Sequence, residues 1–435
     1  MTNSLLIRGG RIIDPGQKID FKGSLLLTDG KVAWLGEDNI PPAIDYAILR
    51  ADDLIVCPGF IDVHCHLRQP GYEDKETIAT GTQAAARGGF TTLCCMPNTD
   101  PPLDNEDTLN YVRTIAAREG VVRVFPIGCI TLGRKGEELA DLNELELAGA
   151  VAYSDDGSNV SNPDILRQAL EYSRDFNRPI IEHCENEFLS QEGQMNEGVV
   201  SLELGLRGIP AAAEETIVKR DLDLARETGG HIHIAHVSTE GSVDLIRQAK
   251  TEGVSVTAEV TPHHLTLTEE AVMGYDTNAK VNPPLRTKRD TQALLSGLND
   301  GVIDIVATDH APHTEADKNR DFKDAAFGIS GLETALGSLA NLVFQSDLGL
   351  NTLIEVLTVG PARVLGYEKL GTFEEGAPGD VCIFDLHKEW VVDPKEFASR
   401  GKNTPLAGKT LRGKVMATLY QGMPVYMNDK LKMEV

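Results

Sequence analysis

The chain has 435 residues, of which 41% are hydrophobic and 25% charged, and its formal net charge is −25. That length exceeds one ordinary core and fits a barrel-sized domain plus a smaller part, with a composition normal for a globular protein. The acid excess excludes a surface built for nucleic acid or anionic lipid, which would need clustered Lys and Arg. Its simplest meaning is solubility through like-charge repulsion, so an anionic ligand would need local Arg or His working against the overall field.

No apolar run reaches the roughly 18 residues of a membrane helix, so no membrane association is expected. The opening MTNSLLIRGGRIIDPG has no basic region followed by an apolar stretch, which speaks against a signal peptide. Seven cysteines are scattered without a CxxC pair, and Cys94 and Cys95 sit together in an apolar run as buried thiols would. A reducing, cytoplasmic location is the expectation.

In chain order, residues 1–54 alternate β-rich runs with glycine turns: SLLIRGGRIID, GSLLLTDGKVAWLG and AIDYAILRADDLIV. These read as antiparallel strands and hairpins. From residue 55 the texture changes to short β-branched runs separated by amphipathic stretches. The strand runs are Leu54–Val63, Thr91–Met96, Val121–Ile127, Ala150–Ser154, Pro179–Glu182, His231–Ala235, Val254–Val260 and Asp304–Ala307. Helical runs at Glu76–Arg87, Asn162–Phe176, Ala212–Thr228 and Gly241–Glu252 fill the gaps. This is the pattern of an α/β fold, a TIM-like (β/α)8 barrel over residues 55–368. After residue 369 the strand-and-turn texture returns to the end of the chain. The two β-rich ends are expected to pack together as one small β-sandwich.

Catalytic groups of such barrels sit at the carboxyl ends of the strands. The first run ends in Asp62-Val63-His64-Cys65-His66. Residues i and i+2 share a face, so both imidazoles can reach one point while Cys65 faces away. His-x-His alone is weak, since two polar residues often end a strand. The signal grows because later runs lead into Asp155-Asp156, His183, His236 and Asp309-His310. Imidazoles and carboxylates are the ligands of Zn²⁺ and similar divalent ions. Five such ends on one rim are hard to assign to packing. His231 and His233 have the opposite parity from His236 and should face the helix layer. His263 and His264 are read as structural or as supporting the ligands.

The segments DVHCHLRQPGYEDKETIATGTQAAARGGFTTLCCMPNTDPP (62–102), YSDDGS (153–158), IEHCE (181–185) and HIAHVST (233–239) closely resemble the dihydroorotase signature. So do VTPHHL (260–265), KVNPPLR (280–286), ATDHAPHTEADK (307–318), AAFGISGLETAL (325–336) and GKNTPLAGKTLRGKV (401–415). The likeness runs through nearly the whole chain in order. It implies an amidohydrolase with metal ligands His64, His66, Asp156, His183, His236 and Asp309, holding one or two divalent ions, zinc being the expected one. Parity cannot choose between Asp155 and Asp156; the resemblance points to Asp156. Many amidohydrolases carry a carboxylated lysine at the fourth strand. Tyr153-Ser154-Asp155-Asp156 has none, which matches the aspartate-using branch of dihydroorotases.

The same likeness implies that His66, Arg68, Asn98, Asn282, His313, Phe327 and Gly328 face substrate. A guanidinium fork suits a carboxylate, and Asn and His add directed hydrogen bonds. Ala326 replaces a proline of the family pattern. The implied reaction is reversible hydrolysis of dihydroorotate to N-carbamoyl-L-aspartate in pyrimidine synthesis. Hydroxide made available by the metal would attack, and Asp309 would carry the proton to the departing ring nitrogen. A homodimer is implied, and a complex with aspartate transcarbamoylase is left open. The rivals are a hydantoinase or allantoinase, and a non-catalytic partner of aspartate transcarbamoylase. Residues 313–324, polar and without apolar periodicity, are expected to form a mobile flap.

Overall fold

A computed structural model describes residues 4–37 and 45–434. The run expected from Ala43 begins two residues outside that range. Both termini contribute to one nine-stranded sheet. Ser4–Asp14 pairs antiparallel with Ile19–Thr28, which pairs antiparallel with Lys31–Gly36. Ala47–Arg50 and Ile55–Pro58, by contrast, run parallel to the first strand. The hairpin expectation therefore fails there, since hairpin-joined neighbours would pair antiparallel.

Ile55–Pro58 also pairs antiparallel with Val381–Val391, which continues through Thr410–Tyr420 to Met423–Met427. Leu5, Ile7, Leu25, Leu27, Val56, Phe373, Ile383 and Leu419 form the buried core of this sheet. The run Leu54–Val63 is therefore two strands, and the division expected after residue 54 cuts through the terminal sheet. The break falls at Gly59, where a Cβ would lie 2.2 Å from Thr91 Oγ1. Only glycine permits the chain to approach its neighbour there and change sheets.

Eight parallel strands make up the second part. Phe60–Cys65, Phe90–Cys95 and Arg123–Pro126 form a three-stranded sheet. Tyr153–Ser154, Ile180–Glu182, Ile232–Ile234, Val256–Val260 and Ile305–Val306 form a five-stranded one. Single bridges, Gly128 to Tyr153 and Cys65 to His310, span the gaps between them. Each expected run overlaps one of these strands.

Both faces of the strands are apolar, as parallel sheets covered by helices require. Ile180, Ile232, Ile234, Val256, Ala258, Val260 and Val306 pack outward against helices, and Ile61, Val63, Cys94, Ile127, Ile181, Ile305 and Ala307 gather inside. The helix Pro163–Phe176 shows why the outer layer forms. Asn162 caps it by accepting from Asp164 N, with Pro163 in the first turn. Ile165, Leu166, Ala169, Leu170 and Ser173 then bury a single stripe. The segment between His183 and Ala212 adds two short helices and two short paired strands that periodicity did not announce.

Candidate metal centre

The residues just past the carboxyl ends of the strands converge. His64 and His66 leave the strand Phe60–Cys65 with ring centroids 5.4 Å apart, while Cys65 packs into the outer core. Asp156 lies at the centre. Its Oδ1 is 3.4 Å from His64 Nε2, 3.7 Å from His183 Nδ1 and 3.6 Å from His236 Nε2, and its Oδ2 is 3.6 Å from His66 Nε2. Asp309 Oδ1 stands 3.0 Å from His66 Nε2 and 3.6 Å from His64 Nε2. All six side chains are buried. Two groups, His64–His66–Asp156 and Asp156–His183–His236, each bring ligand atoms within 4.8 Å of one another, with Asp156 common to both.

Asp155 is occupied elsewhere. Its carboxylate accepts from Ile130 N and Thr131 N at 2.9 and 3.1 Å and from the Thr131 hydroxyl. Of the two adjacent aspartates, only Asp156 enters the cluster.

Three of the four imidazoles are oriented from behind, as ligating histidines commonly are, whereas His236 Nδ1 has no partner among the described residues. His66 Nδ1 meets Asn98 Oδ1 at 3.0 Å, which directs Nε2 to the centre. His64 Nδ1 meets Glu259 Oε1 at 2.6 Å, and His183 Nε2 meets Glu185 Oε2 at 2.8 Å. These partners assign the tautomers. Burial works to raise the carboxyls of Glu259 and Glu185, but the facing histidines outweigh it and hold each down to about 2. Neither glutamate was singled out beforehand. Glu259 left a trace in the sequence as the one charge in the strand Val256–Val260, and Glu185 ends the IEHCE segment.

His233 corrects an expectation. Ile232 and Ile234 face the helices, and His233 Nε2 turns inward to meet Glu259 Oε2 at 3.1 Å. Parity counted back from His236 misleads because His236 itself has φ +31°. The strand's alternation ends before that residue. Asp309 (φ +44°) and Arg68 (φ +61°) share this uncommon backbone region. His264 is structural, its ring bonded to Thr261 Oγ1 and Pro283 O at 2.8 and 2.9 Å.

The donor set fits a cation. His64 Nε2 and Asp156 Oδ1 are buried without any hydrogen-bond partner, an arrangement that costs free energy unless something is coordinated. Burial opposes charge on His64, yet Asp156 and Glu259 hold its imidazole well above the ordinary range. This cluster of carboxylates favours positive charge at its centre.

Beside the cluster opens a cleft of about 270 Å³, whose lining includes Arg68, Asn98, Asn282, His313, Phe327 and Gly328 and contains no lysine. Arg68 Nε donates to Pro312 O at 3.3 Å, and its Nη2 lies 3.5 Å from His313 Nε2. His313 Nε2 donates to Phe327 O at 2.7 Å, and burial plus the charge of Arg68 pushes its imidazole down to about 3. Asn282 Nδ2 donates to Glu185 at 2.8 Å, which ties this side of the cleft to His183.

The segment expected as a flap has a defined fold. It contains the short helix Glu315–Lys318, and Lys318 Nζ donates to Thr277 O, Lys280 O and Ala326 O at 2.9, 3.2 and 2.7 Å. Lys280 Nζ donates to Phe322 O and Lys323 O and lies 4.5 Å over the Phe327 ring.

Known proteins are similar to this chain in sequence and in fold. A family model described as Dihydro-orotase-like matches residues 53–242. The chain is 51% identical over 429 residues to the dihydroorotase of Pelotomaculum thermopropionicum, covering 98% of this chain and 99% of that one. It is 48% identical over 427 residues to the dihydroorotase of Caldanaerobacter subterraneus, with 98% of each covered. The chain belongs to the dihydroorotase family. Among solved structures, it is similar to an L-hydantoinase (dihydropyrimidinase) from Arthrobacter aurescens, with a TM-score of 0.88, 26% identity and 99% and 98% of the two chains covered. The dihydropyrimidinase from Brevibacillus agri shares the fold, with a TM-score of 0.85, 22% identity and 99% and 96% covered. No helix among the described residues is long and apolar enough to cross a membrane.

Proposed function

We propose that this chain is a dihydroorotase, catalysing the reversible hydrolysis of (S)-dihydroorotate to N-carbamoyl-L-aspartate, with ring closure as the biosynthetic direction of pyrimidine synthesis. The observation that carries the reading is the juxtaposition, in one cleft, of the histidines around Asp156 with the half-buried Arg68. His64, His66, Asp156, His183, His236 and Asp309 would hold one or two divalent ions, with zinc favoured by the imidazole and carboxylate donors. When bound, such an ion polarises a carbonyl and lowers the pKa of water from 15.7 to about 7.

The chain's own residues do the rest. Arg68, Asn98 and His313 bind the substrate carboxylate, and Asn282 with the Phe327-Gly328 backbone faces the ring. Burial works to raise the Asp309 carboxyl, but the facing His66 and the neighbouring imidazoles keep it below the usual range. It is therefore a carboxylate ready to accept the proton of the attacking water and deliver it to the departing ring nitrogen. The barrel is read as a closed (β/α)8 ring beside a β-sandwich of the two termini. The working enzyme is read as a cytoplasmic homodimer, with association to aspartate transcarbamoylase an additional arrangement to test.

Turnover of dihydroorotate, hydantoin and allantoin, measured beside metal content by elemental analysis, tests the reading. Preference for dihydroorotate by metal-containing protein is expected. A metal-loaded protein that ignores dihydroorotate and opens hydantoin would overturn it.

A further inference from the structure

The stretch Ser399–Thr404 leaves the terminal sheet and returns to the barrel mouth, where Ser399, Asn403 and Thr404 are buried. The Ser399 hydroxyl donates to Glu76, and Arg400 N donates to the same carboxylate at 3.2 Å. At Gly401 a Cβ would lie 2.4 Å from Pro312 Cβ, so the backbone of this stretch rests directly on the residue that receives Arg68 Nε.

Asn403 then inserts its side chain between the two loops that line one side of the cleft. Its Oδ1 accepts from His313 N and from Ser330 Oγ, each at 2.9 Å. Its Nδ2 donates to Ala311 O and to Gly328 O, each at 3.0 Å. Its own carbonyl accepts from Ser330 N at 2.8 Å. Four side-chain bonds fill the capacity of a primary amide. The partners also fix its orientation, because a flipped amide would set its NH2 against the His313 N–H and its oxygen against two carbonyls. No other residue type supplies two donors and two acceptors in this shape. The loops so joined carry His313 on one side and Phe327-Gly328 on the other.

We propose that Asn403 is a positioning residue for substrate binding, by which the terminal segment sets the spacing of the two loops that hold the substrate carboxylate and ring. This rests on the function proposed above. Because the loops bind substrate away from the reacting bond, the loss should appear in KM more than in kcat.

In the full-length, metal-containing enzyme, Asn403→Ala is expected to raise KM for dihydroorotate about tenfold or more, with kcat within about threefold and metal content unchanged. Exchange of the His313 amide hydrogen should accelerate about tenfold or more. A KM within about twofold of the parent would overturn the proposal, as would a fall in kcat alone, the mark of a purely structural staple. Should Asn403→Ala fail to fold, Ser330→Ala removes a single one of the four bonds. It is expected to raise KM about threefold, and an unchanged KM would overturn the proposal. If the parent protein itself does not turn over dihydroorotate, the functional reading fails instead. The exchange measurement then still decides whether Asn403 holds the His313 loop.

Discussion

The two halves of the cleft are built by different means. On the metal side, each histidine comes from the end of a parallel strand, and carboxylates and an amide one layer back point the rings inward: Glu259 for His64, Glu185 for His183 and Asn98 for His66. On the substrate side, Arg68, His313, Phe327 and Gly328 sit on loops, and those loops are held by side chains bonding to main-chain carbonyls. Lys318 reaches three carbonyls, Lys280 two, and Asn403 two more. A sheet fixes geometry through its own ladder, whereas a loop needs borrowed donors for carbonyls that would otherwise be buried unpaired. The halves should therefore fail differently, the metal side in kcat and metal content, the substrate side in KM.

The largest expected effect is on the metal side. Asp309→Asn keeps an oxygen donor but cannot accept a proton, so turnover should fall about a thousandfold with fold and metal retained. Near-normal turnover would remove Asp309 from the proton path. Arg68→Ala should leave metal content intact and raise KM some 10- to 100-fold, the worth of charge-assisted hydrogen bonds to a carboxylate. An unchanged KM would dissolve the distinction between the halves. Glu259→Gln tests the layer behind the ligands. It retains an acceptor for only one of His64 and His233, so metal affinity should weaken about tenfold, read by titration against a chelator, with little change in KM at saturating metal. Equal affinity in the variant would mean that Glu259 does not orient His64.

The same contrast explains what the sequence disclosed. Strand-end chemistry was legible because period-2 alternation places His64 and His66 on one face, and the runs preceding Asp156, His183, His236 and Asp309 are apolar enough to find. Parity failed at His233 because His236 lies beyond the strand in an αL-like conformation, which no count along the chain reveals. Asp155 and Asp156 could not be separated by composition; the Ile130–Thr131 amides that engage Asp155 decide it. The eight barrel strands were found to within a few residues. The sheet change at Gly59 was not, because a continuous β-rich run hides a switch of partner. Asn403 and the two lysines were invisible as loop anchors, since their partners are carbonyls, which every residue has.

Glu333 sharpens the comparison by belonging to neither half, and it should leave turnover unchanged. It joins the terminal segment to the barrel, accepting from Ala398 N and Ser399 N at 2.9 and 3.2 Å. Burial raises its carboxyl from 4.5 to about 7, against the lowering influence of those two amides and of Arg87 and Lys402. A carboxyl that binds its proton more tightly in the folded chain stabilises fully below pH 4.5 and loses that contribution as pH rises through about 7. The loss is on the order of 3 kcal/mol at a neutral to alkaline pH. Glu333→Gln is neutral throughout, so its stability relative to the parent should climb between pH 5 and pH 8 by about that amount. Denaturant midpoints of both proteins across this range provide the check. Parallel curves would mean that Glu333 is not protonated in the folded state, and that its ion pair with Arg87, 3.9 Å away, outweighs burial.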